Sequence, residues 1–344
     1  MKLVPILAIV VFMLILGCGG RTPVSNQTNT TAPANTTNGT GPVTIIINNQ
    51  TNQSAEQNNS VQNNTVPTAP NNSIQYTYDP TQPLGIYLIY VGDTSQGDAI
   101  LIKKGDFNML VDAGPAKESG KVVDFLKSKG VNNIAVLVST TGDPRRYGGI
   151  DAIADNFQIQ SYWWPGETLG DTEYAGIAGR MTNITKQVVI ADQGYSNSYD
   201  GINFTVLNPN PNRLFQDVNN DAMVIRLSQD GFSMLLTSDI QTGAQGNLIN
   251  EYPGLINTTV LEAPYYGVGS GTANMGIFLN TAKPQVVVIS GSADESAANG
   301  GSRAPFERLL NMSQNNIKWY DNYDNGTLRI TVTGSQYAID SLGS

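Results

Sequence analysis

The pattern of apolar and polar residues divides the chain into three parts. An apolar run at residues 3–16 is followed by residues 19–82, which consist mainly of Asn, Thr, Gln, Ser and Pro. From residue 84 onwards, short β-rich runs alternate with amphipathic segments. A segment with few apolar side chains buries too little surface to offset the entropy of ordering, so we predict a disordered stalk at residues 19–83. Residues 84–344 are predicted to form a globular domain.

The first half of the domain alternates strands with helices. Strands are predicted at residues 86–91, 99–103 and 107–111, and a turn around Gly105 joins the last two. Residues 118–129 have apolar positions on one face and end at Gly130, which is typical of an amphipathic helix with a glycine C-cap. The next strand, residues 134–138, leads into a polar loop and then a helix from Gly149. A strand that ends in a polar loop is a common place for functional residues, so residues 139–149 are the first candidate site.

The second half of the domain repeats this alternation of strands and helices. Strands are predicted at residues 203–207, 222–227, 232–236, 259–263 and 286–290, with helices at residues 241–250, 273–280 and 303–311. Short strands complete the chain after residue 316. Hairpins and helices in two similar halves predict an α+β protein in which two sheets pack together with helices outside, an αββα sandwich.

The N-terminus has the features of a lipoprotein signal sequence. Met1-Lys2 supplies a positive charge, residues 3–16 are apolar, and Leu16-Gly17-Cys18 follows. An ordinary signal peptide and an uncleaved anchor helix are the alternatives, but the apolar run is shorter than the ~20 residues that span a membrane. We therefore predict lipidation at Cys18, which would hold the protein on the outer, extracellular face of a cytoplasmic membrane.

Composition limits the possible partners. The chain has 19 Lys plus Arg against 28 Asp plus Glu, a net charge of -9, and Arg145-Arg146 is its local basic cluster. A long nucleic-acid groove normally needs a basic stripe, so composition argues against one. The single cysteine excludes an intrachain disulfide. Asn-x-Ser/Thr triplets occur in both the stalk and the domain, and on an exported chain they could carry glycans or could have arisen by chance.

The chain contains no histidine, which excludes Ser-His-Asp and Cys-His catalytic sets and removes the usual general acid–base. Asp143 and Asp239 could act as a carboxylate pair, although the sequence does not set their separation. The pairs Tyr265-Tyr266 and Trp163-Trp164 could stack on a sugar or a base, with packing inside the fold as the alternative.

Several stretches resemble the metallo-β-lactamase superfamily. Gln96-Gly97-Asp98-Ala99 follows a strand, residues 107–115 end a hairpin as Leu-Val-Asp-Ala-Gly-Pro, and residues 217–227 and 232–240 match two later strands of the family. The most similar branch is the hydrolase domain attached to the competence protein ComEC, and the match covers residues 84–335 in order. This resemblance implies an αββα fold and a metal-dependent hydrolase.

The resemblance also assigns the metal loop, which in the family reads Thr-His-x-His/Asp-x-Asp-His-x-Gly-Gly. In this chain the threonine and the two glycines are kept, and so is the bridging aspartate, Asp239. Three of the four ligand positions of the loop have residues that differ from those of the family, and the second position keeps an aspartate. The four positions are Thr141, Asp143, Arg145 and Arg146. The family's later His-His-Gly-Ser becomes Tyr265-Tyr266-Gly267-Val268, and its last histidine falls near Arg303. Asp98 and Asp112, which help to shape the site in the family, could simply form turns here.

These substitutions lead to two hypotheses about function. The first is a non-catalytic binding or scaffold protein that has lost the metal site. Its cleft would be lined by Thr141, Asp143, Arg145, Arg146, Asp239, Tyr265, Tyr266 and Arg303. The arginines could hold a phosphate or carboxylate, or they could close the cleft by pairing Arg145 with Asp239 and Arg146 with Asp143.

The second hypothesis is a hydrolase, by resemblance a phosphodiesterase or nuclease. It would hold Zn, Mg or Mn through the oxygen atoms of Asp143 and Asp239. Nucleic acid is a partner only under this alternative.

Overall fold

The computed structural model describes residues 81–91, 97–268, 272–291, 302–312 and 317–343, together with the backbone of a strand at Thr44–Ile47. Cys18, the predicted leader and the rest of the predicted stalk lie outside these residues. Within the described part of the chain, no helix is long and apolar enough to cross a membrane.

One sheet has nine strands and is built mainly from the first half of the domain. Its order is β1-β7-β6-β5-β4-β3-β2-β15-β16. The strands are β1 (Thr44–Ile47), β2 (Leu84–Leu88), β3 (Ile100–Lys104), β4 (Phe107–Val111), β5 (Asn133–Val138), β6 (Gln158–Trp164), β7 (Gln187–Ile190), β15 (Leu328–Thr333) and β16 (Gln336–Ser341). β4, β5, β6 and β7 run parallel, while β2, β3 and β4 form an antiparallel meander.

The other sheet has seven strands in the order β14-β13-β12-β11-β10-β9-β8. They are β8 (Ser196–Tyr199), β9 (Ile202–Asn208), β10 (Val224–Gln229), β11 (Phe232–Leu236), β12 (Val260–Glu262), β13 (Val286–Ile289) and β14 (Lys318–Asp321). β11 to β14 run parallel, and β8 to β11 are antiparallel to their neighbours. The two sheets thus share a mixed construction, with parallel strands on one side and hairpins on the other.

Helices cover the outer faces of both sheets. They are α1 (Ser119–Ser128), α2 (Pro144–Tyr147), α3 (Ile150–Asn156), α4 (Thr172–Ile184), α5 (Thr242–Glu251), α6 (Pro253–Ile256), α7 (Thr272–Ala282), α8 (Ala304–Met312) and α9 (Asn322–Asn325). Short 3₁₀ turns occupy Ala116–Glu118 and Pro264–Gly267.

The apolar side chains form three layers of core. In β3, Ile100 and Ile102 point between the sheets, whereas Leu101 packs with α1, α3 and α4. In β11, Met234 and Leu236 point between the sheets, and Leu235 packs with the helices of the second half. Successive strand residues point to opposite faces, so strands covered on both sides need continuous apolar runs. The predicted αββα sandwich is confirmed.

Several elements were not predicted from the sequence, and two of them bear on the site and on the edge of a sheet. Thr44–Ile47 lies inside the segment predicted as a stalk, yet it pairs in parallel with β7 at the edge of the nine-stranded sheet. Thr-Ile-Ile-Ile is a β-branched run in an otherwise polar segment, so it is suited to satisfy the hydrogen-bonding groups of an open edge. Within the polar loop, Pro144–Tyr147 forms the short helix α2. Both were missed because each depends on a partner elsewhere in the fold or on a cap.

The strands' directions give the sandwich two distinct ends. β4, β5, β11, β12 and β13 all finish at one end, where Thr140 after β5 lies 2.6 Å, hydroxyl to hydroxyl, from Ser238 after β11. We call this the carboxyl end and the opposite one the amino end. β2 runs parallel to β4, because each is antiparallel to β3, so the domain begins at Leu84 at the amino end.

Candidate functional site

A buried arginine lies at the centre of the carboxyl end. The Nε atom of Arg146 donates to Asp239 over 2.8 Å, and its Nη1 atom donates to Asp98 and to Asp112 over 3.1 Å each. Longer contacts of 3.4 and 3.5 Å join the guanidinium to Glu262. All five side chains are almost completely buried. One guanidinium therefore holds four carboxyl groups; we call these five residues the Arg146 cluster.

Each carboxyl group of the Arg146 cluster comes from the end of a different strand or loop. Asp112 follows β4 and has a left-handed φ of 58°, while Asp98 precedes β3 and accepts a hydrogen bond from Ser290 over 2.9 Å. Asp239 follows β11, and Glu262 is the last residue of β12. Parallel strands that finish at the same edge bring such residues together although they are far apart in sequence.

Hydrogen bonds from the backbone fix the carboxyl groups in place. Asp112 accepts from the amide of Thr140 over 2.8 Å and from its hydroxyl over 2.6 Å. Glu262 accepts from the amides of Thr237 and Ser238 over 2.8 and 3.3 Å. Buried carboxyl groups need such donors because their desolvation is costly. The guanidinium thus sits among groups that are themselves anchored.

The Arg146 cluster contains four acidic side chains and one basic side chain, and the pKa values of several of them are shifted. Burial raises the pKa of Asp112 and that of Asp239 to about 6, against the opposing charge of Arg146. Burial and then the charge of Glu262 raise the pKa of Asp98 well above its usual range. Burial opposes the charge on Arg146, but Asp239 and the other acids hold its pKa well above normal. Protons are therefore retained in the cluster at pH values where exposed carboxyl groups have lost them.

Arg145 forms a second pair at the surface of the site. Asp143 caps α2 by accepting from the amide of Arg145 over 2.8 Å, and Pro144 occupies the first helical position. The Nη2 atom of Arg145 lies 2.5 Å from Asp143, and a quarter of the arginine side chain (26%) is exposed. Burial alone would raise the pKa of Asp143, but the hydrogen bonds and charge of Arg145 lower it overall. Helix α2 thus directs the side chain of Arg146 into the interior and leaves that of Arg145 at the solvent-exposed mouth of the site.

Two tyrosines cover the arginines. Tyr265 and Tyr266 have left-handed backbones with φ of 48° and 56°, which side-chain-bearing residues rarely adopt. The Arg145 guanidinium lies 5.7 Å from the Tyr265 ring and 5.4 Å from the Tyr266 ring, and that of Arg146 lies 4.9 Å from the Tyr266 ring. These distances fit cation–π contacts. Backbone strain of this kind persists only where the surroundings hold it, and it is typical of functional sites.

Two buried polar atoms beside Arg146 have no hydrogen-bond partner among the described residues. They are the Oδ2 atom of Asp239 and the hydroxyl of Tyr266. Burial raises the pKa of the Tyr266 hydroxyl well above its usual value, so it remains protonated. An unpaired buried acceptor costs about 1–3 kcal/mol. The Arg146 cluster is thus incompletely satisfied on its Asp239 side.

The remaining predicted site residues lie further from Arg146. Thr141 donates its hydroxyl to the carbonyl of Val218 over 2.6 Å. Arg303 is buried, but its guanidinium binds Glu307, Asp321 and the carbonyl of Gly291. Trp163 is completely buried in the core between the sheets. A groove of ≈ 580 Å³ elsewhere is lined by Ile89, Tyr90, Lys121, Asp124, Phe125, Ser128 and Thr327, and it contains none of the predicted site residues.

The pairing of the arginines differs from the expected one. Arg145 pairs with Asp143 and Arg146 with Asp239, because the cap of α2 fixes Asp143 beside Arg145. The sequence left open whether Asp98 and Asp112 shape the site or form turns, and the structure places both on Arg146. Glu262 was not predicted as a site residue. Glu262 could have been noticed in the sequence because it is an acidic residue at the end of an apolar strand. An acidic residue is rarely buried in such a position unless it has a partner.

The side chains around Arg146 do not fit the metals that the fold implies. A metal bound to the four carboxyl groups at about 2 Å would lie within contact distance of the guanidinium nitrogens, which are 2.8–3.5 Å from those same oxygens. Like charges at that separation repel strongly in a buried site. Among the described residues, no group of three or more His, Cys, Asp or Glu side chains is arranged to hold a metal ion.

Comparisons with known proteins agree with the motifs. The chain is 27% identical over 205 residues to the competence protein ComA of Neisseria gonorrhoeae, covering 59% of this chain and 26% of that protein. It is 21% identical over 212 residues to the ComE operon protein 3 of Bacillus subtilis, covering 60% of this chain and 26% of that protein. The chain therefore spans about a quarter of the length of these curated relatives. No protein-family model matches it.

Solved structures give the same picture at lower identity. The metallo-β-lactamase fold protein YhfI from Bacillus subtilis is 14% identical, with a TM-score of 0.47, covering 69% of this chain and 96% of that one. CmlA, a diiron β-hydroxylase from Streptomyces venezuelae, is 13% identical, with a TM-score of 0.44, covering 73% and 54%. The sequence similarity to two competence proteins confirms the resemblance that the motifs indicated.

Proposed function

We propose that the protein is an exported, lipid-anchored and non-catalytic protein with a metallo-β-lactamase fold, which acts as a binding or scaffold protein at the cell surface. The observation that carries this proposal is the buried guanidinium of Arg146 among four carboxyl groups. It supplies a fixed positive charge where the fold would otherwise place metals. A guanidinium cannot activate water or polarise a phosphate ester as a metal does, so the metal-dependent reaction is lost.

The anchor and the location follow from the leader. An apolar run ending in Leu-Gly-Cys supports lipidation of Cys18 and a position outside the cytoplasmic membrane. Cleavage at Cys18 with a mass increase from two or three acyl chains, measured on the first peptide of protein extracted from membranes, is the expected result. A link to competence rests on sequence similarity alone.

The mouth of the site supports an anionic ligand. Arg145 is partly exposed, holds a carboxylate through two of its nitrogens and lies against the Tyr265 ring. A guanidinium fork that binds one carboxylate has the geometry to bind a phosphate or another carboxylate in its place. Asp143 would then act as an internal competitor for the ligand.

Thermal shifts with inorganic phosphate, nucleotides and dicarboxylates test the anion site. An anion at about ten times its Kd should stabilise the protein by about 1.4 kcal/mol, a rise of about 3–6 °C in Tm. Arg145→Ala should abolish the shift, and Asp143→Asn should enlarge it because the fork is released. Arg180→Ala, which removes a surface arginine paired with Asp151 and Asp155, serves as the matched control. If no anion shifts Tm, the proposed anion site is wrong.

A metal-dependent hydrolase is the second candidate, favoured by the convergence of Asp98, Asp112, Asp239 and Glu262. We expect protein purified without chelators to contain far less than one equivalent of Zn, Mg or Mn. Phosphodiesterase activity should remain at background with each of these ions. Stoichiometric metal, or a turnover that Asp239→Ala abolishes, would establish the hydrolase and overturn the non-catalytic proposal.

A further inference from the structure

The asparagines of the domain's Asn-x-Ser/Thr triplets are all exposed to solvent. The domain has five such triplets among its described asparagines, at Asn183, Asn203, Asn257, Asn311 and Asn325, and all five asparagines are exposed. Of the fourteen other asparagines in the domain whose side chains the structure describes, only five are exposed. If the triplets had arisen by chance, their asparagines should be exposed about as often as the other asparagines of the domain. They are exposed more often, so chance alone explains them poorly.

These asparagines are also grouped in space. Asn183 ends α4 just before β7 begins, and Asn203 lies at the start of β9. Asn257 lies just before β12, and Asn311 lies at the end of α8, ahead of β14. β7, β9, β12 and β14 all begin at the amino end, since β7 is parallel to β5, and β9, β12 and β14 are parallel to β11.

The fifth asparagine, Asn325, is different. It lies in α9, which follows β14 at the carboxyl end. The Arg146 cluster is at that end too, so four of the five triplets lie at the end opposite to it. Each of the five asparagines is exposed, so a bulky group attached to it would not displace packed side chains.

We propose that Asn183, Asn203, Asn257 and Asn311 carry N-linked glycans at the amino end of the domain, with Asn325 as a further acceptor. The donor is a glycan linked to a lipid phosphate on the outer side of the membrane. The Nδ2 atom forms a bond to the anomeric carbon of the sugar and loses a proton, while the bond from that carbon to the phosphate oxygen breaks and the lipid phosphate leaves. No oxidation or reduction occurs.

The hydroxyl residues of the triplets indicate when transfer takes place. Thr185, the hydroxyl residue of the Asn183 triplet, is buried and donates to the carbonyl of Met181 over 2.7 Å. Thr205 and Thr259, the hydroxyl residues of the Asn203 and Asn257 triplets, are only partly buried. Thr327 is buried and accepts from the amide of Tyr90 over 3.0 Å. A transferase that reads the hydroxyl cannot reach Thr185 or Thr327 in the folded domain, so glycans at Asn183 and Asn325 are added before the domain folds.

The amide nitrogens remain compatible with a sugar. Asn183 and Asn325 each donate one hydrogen through Nδ2, to the carbonyls of Gly179 and Asp321 over 3.0 and 2.8 Å. An amide group has two hydrogens, so replacement of the other by a sugar leaves both bonds intact. The glycans would surround the end at which the chain leaves the stalk, and the Arg146 cluster would remain uncovered on the far side.

Glycopeptide mass spectrometry of the protein extracted from the membranes of its own cells tests the proposal, which rests on the export proposed above. The expected result is a sugar-bearing peptide for each of Asn183, Asn203, Asn257 and Asn311. Asparagine-to-glutamine variants at these positions should each lower the intact mass by one glycan. Asn156→Gln and Asn280→Gln, which change exposed asparagines outside any triplet, should lower it by none.

The outcomes separate this proposal from the function on which it rests. If the leader has been removed at Cys18 and all five domain peptides are unmodified, glycosylation of the domain is wrong and export stands. Sugars confined to the stalk have the same meaning. If the leader is retained, the domain resists protease added to intact cells and no peptide is modified, export is wrong, and the glycans are wrong with it.

Discussion

Replacement of Arg146 by methionine should lower the free energy of unfolding at pH 7 by about 3–5 kcal/mol, the usual cost of leaving a buried charge without its partner. Methionine keeps much of the volume but removes the guanidinium donors to Asp98, Asp112 and Asp239. For a domain of this size the loss corresponds to a fall in Tm of about 6–20 °C. Urea unfolding followed by circular dichroism measures it.

Two controls identify the cause of that loss. Arg180→Met removes a surface arginine and should change stability by less than about 1 kcal/mol. Arg146→Lys keeps the charge but not the planar fork, so its effect should lie between the two. An Arg146→Met variant within 1 kcal/mol of the unmodified protein would show that the carboxyl groups do not depend on the guanidinium.

Removal of Arg146 should also create a cation site. With the guanidinium absent, the oxygens of Asp98, Asp112, Asp239 and Glu262 would face each other, and hard divalent cations bind such oxygens. Millimolar Mg²⁺ or Ca²⁺ should therefore raise the Tm of Arg146→Ala and leave that of the unmodified protein unchanged. An equal shift in both proteins would indicate binding elsewhere on this acidic chain.

Stability should fall as pH rises from about 4 to about 6. The pKa values of Asp112 and Asp239 are about 6 in the folded protein and about 3.8 for the ordinary side chain. A raised folded-state pKa means that the folded state binds the proton more tightly. The resulting stabilisation is complete below pH 3.8 and is lost as pH rises through 6. At about 1.4 kcal/mol per pKa unit, each carboxyl group could contribute up to about 3 kcal/mol.

The other titrating groups near Arg146 do not reverse this sign. The pKa of Asp98 is also raised well above its usual range, so its contribution has the same sign and is lost as pH rises. The pKa of Asp143 is lowered, and its contribution, of opposite sign, is lost only as pH falls below 3.8. Chemical unfolding at pH 4.5, 5.5, 6.5 and 7.5 should show a monotonic decrease. Asp112→Asn and Asp239→Asn, which mimic the protonated forms, should flatten it, and Asp151→Asn should not.

The architecture was predictable because it depends on local patterns. Continuous apolar runs such as residues 134–138 and 286–290 indicated strands covered on both faces, and neither strand lies at the edge of its sheet. The positions of Arg145 and Arg146 in the site also followed from the resemblance. The pairing did not, because it depends on the cap at Asp143 that turns one arginine inwards and the other outwards.

The acids around Arg146 were harder to predict for a different reason. Asp98 and Glu262 are 164 positions apart in sequence and meet only because β3 begins and β12 finishes at the same end of two packed sheets. A turn-forming aspartate and a buried one look alike in a sequence. Their roles become distinct only when it is known that the guanidinium of Arg146 lies between them.

The position of β15 next to β2 has a consequence for the order in which the domain is made. Leu84 pairs with Val332, so the first strand of the domain waits for one that is synthesised almost 250 residues later. At about 5–20 residues per second this delay is roughly 10–50 s. Contacts so distant in sequence also slow folding itself, because a long loop must close first. The nine-stranded sheet is therefore incomplete until β15 has been synthesised, and the earlier strands must avoid aggregation during that interval.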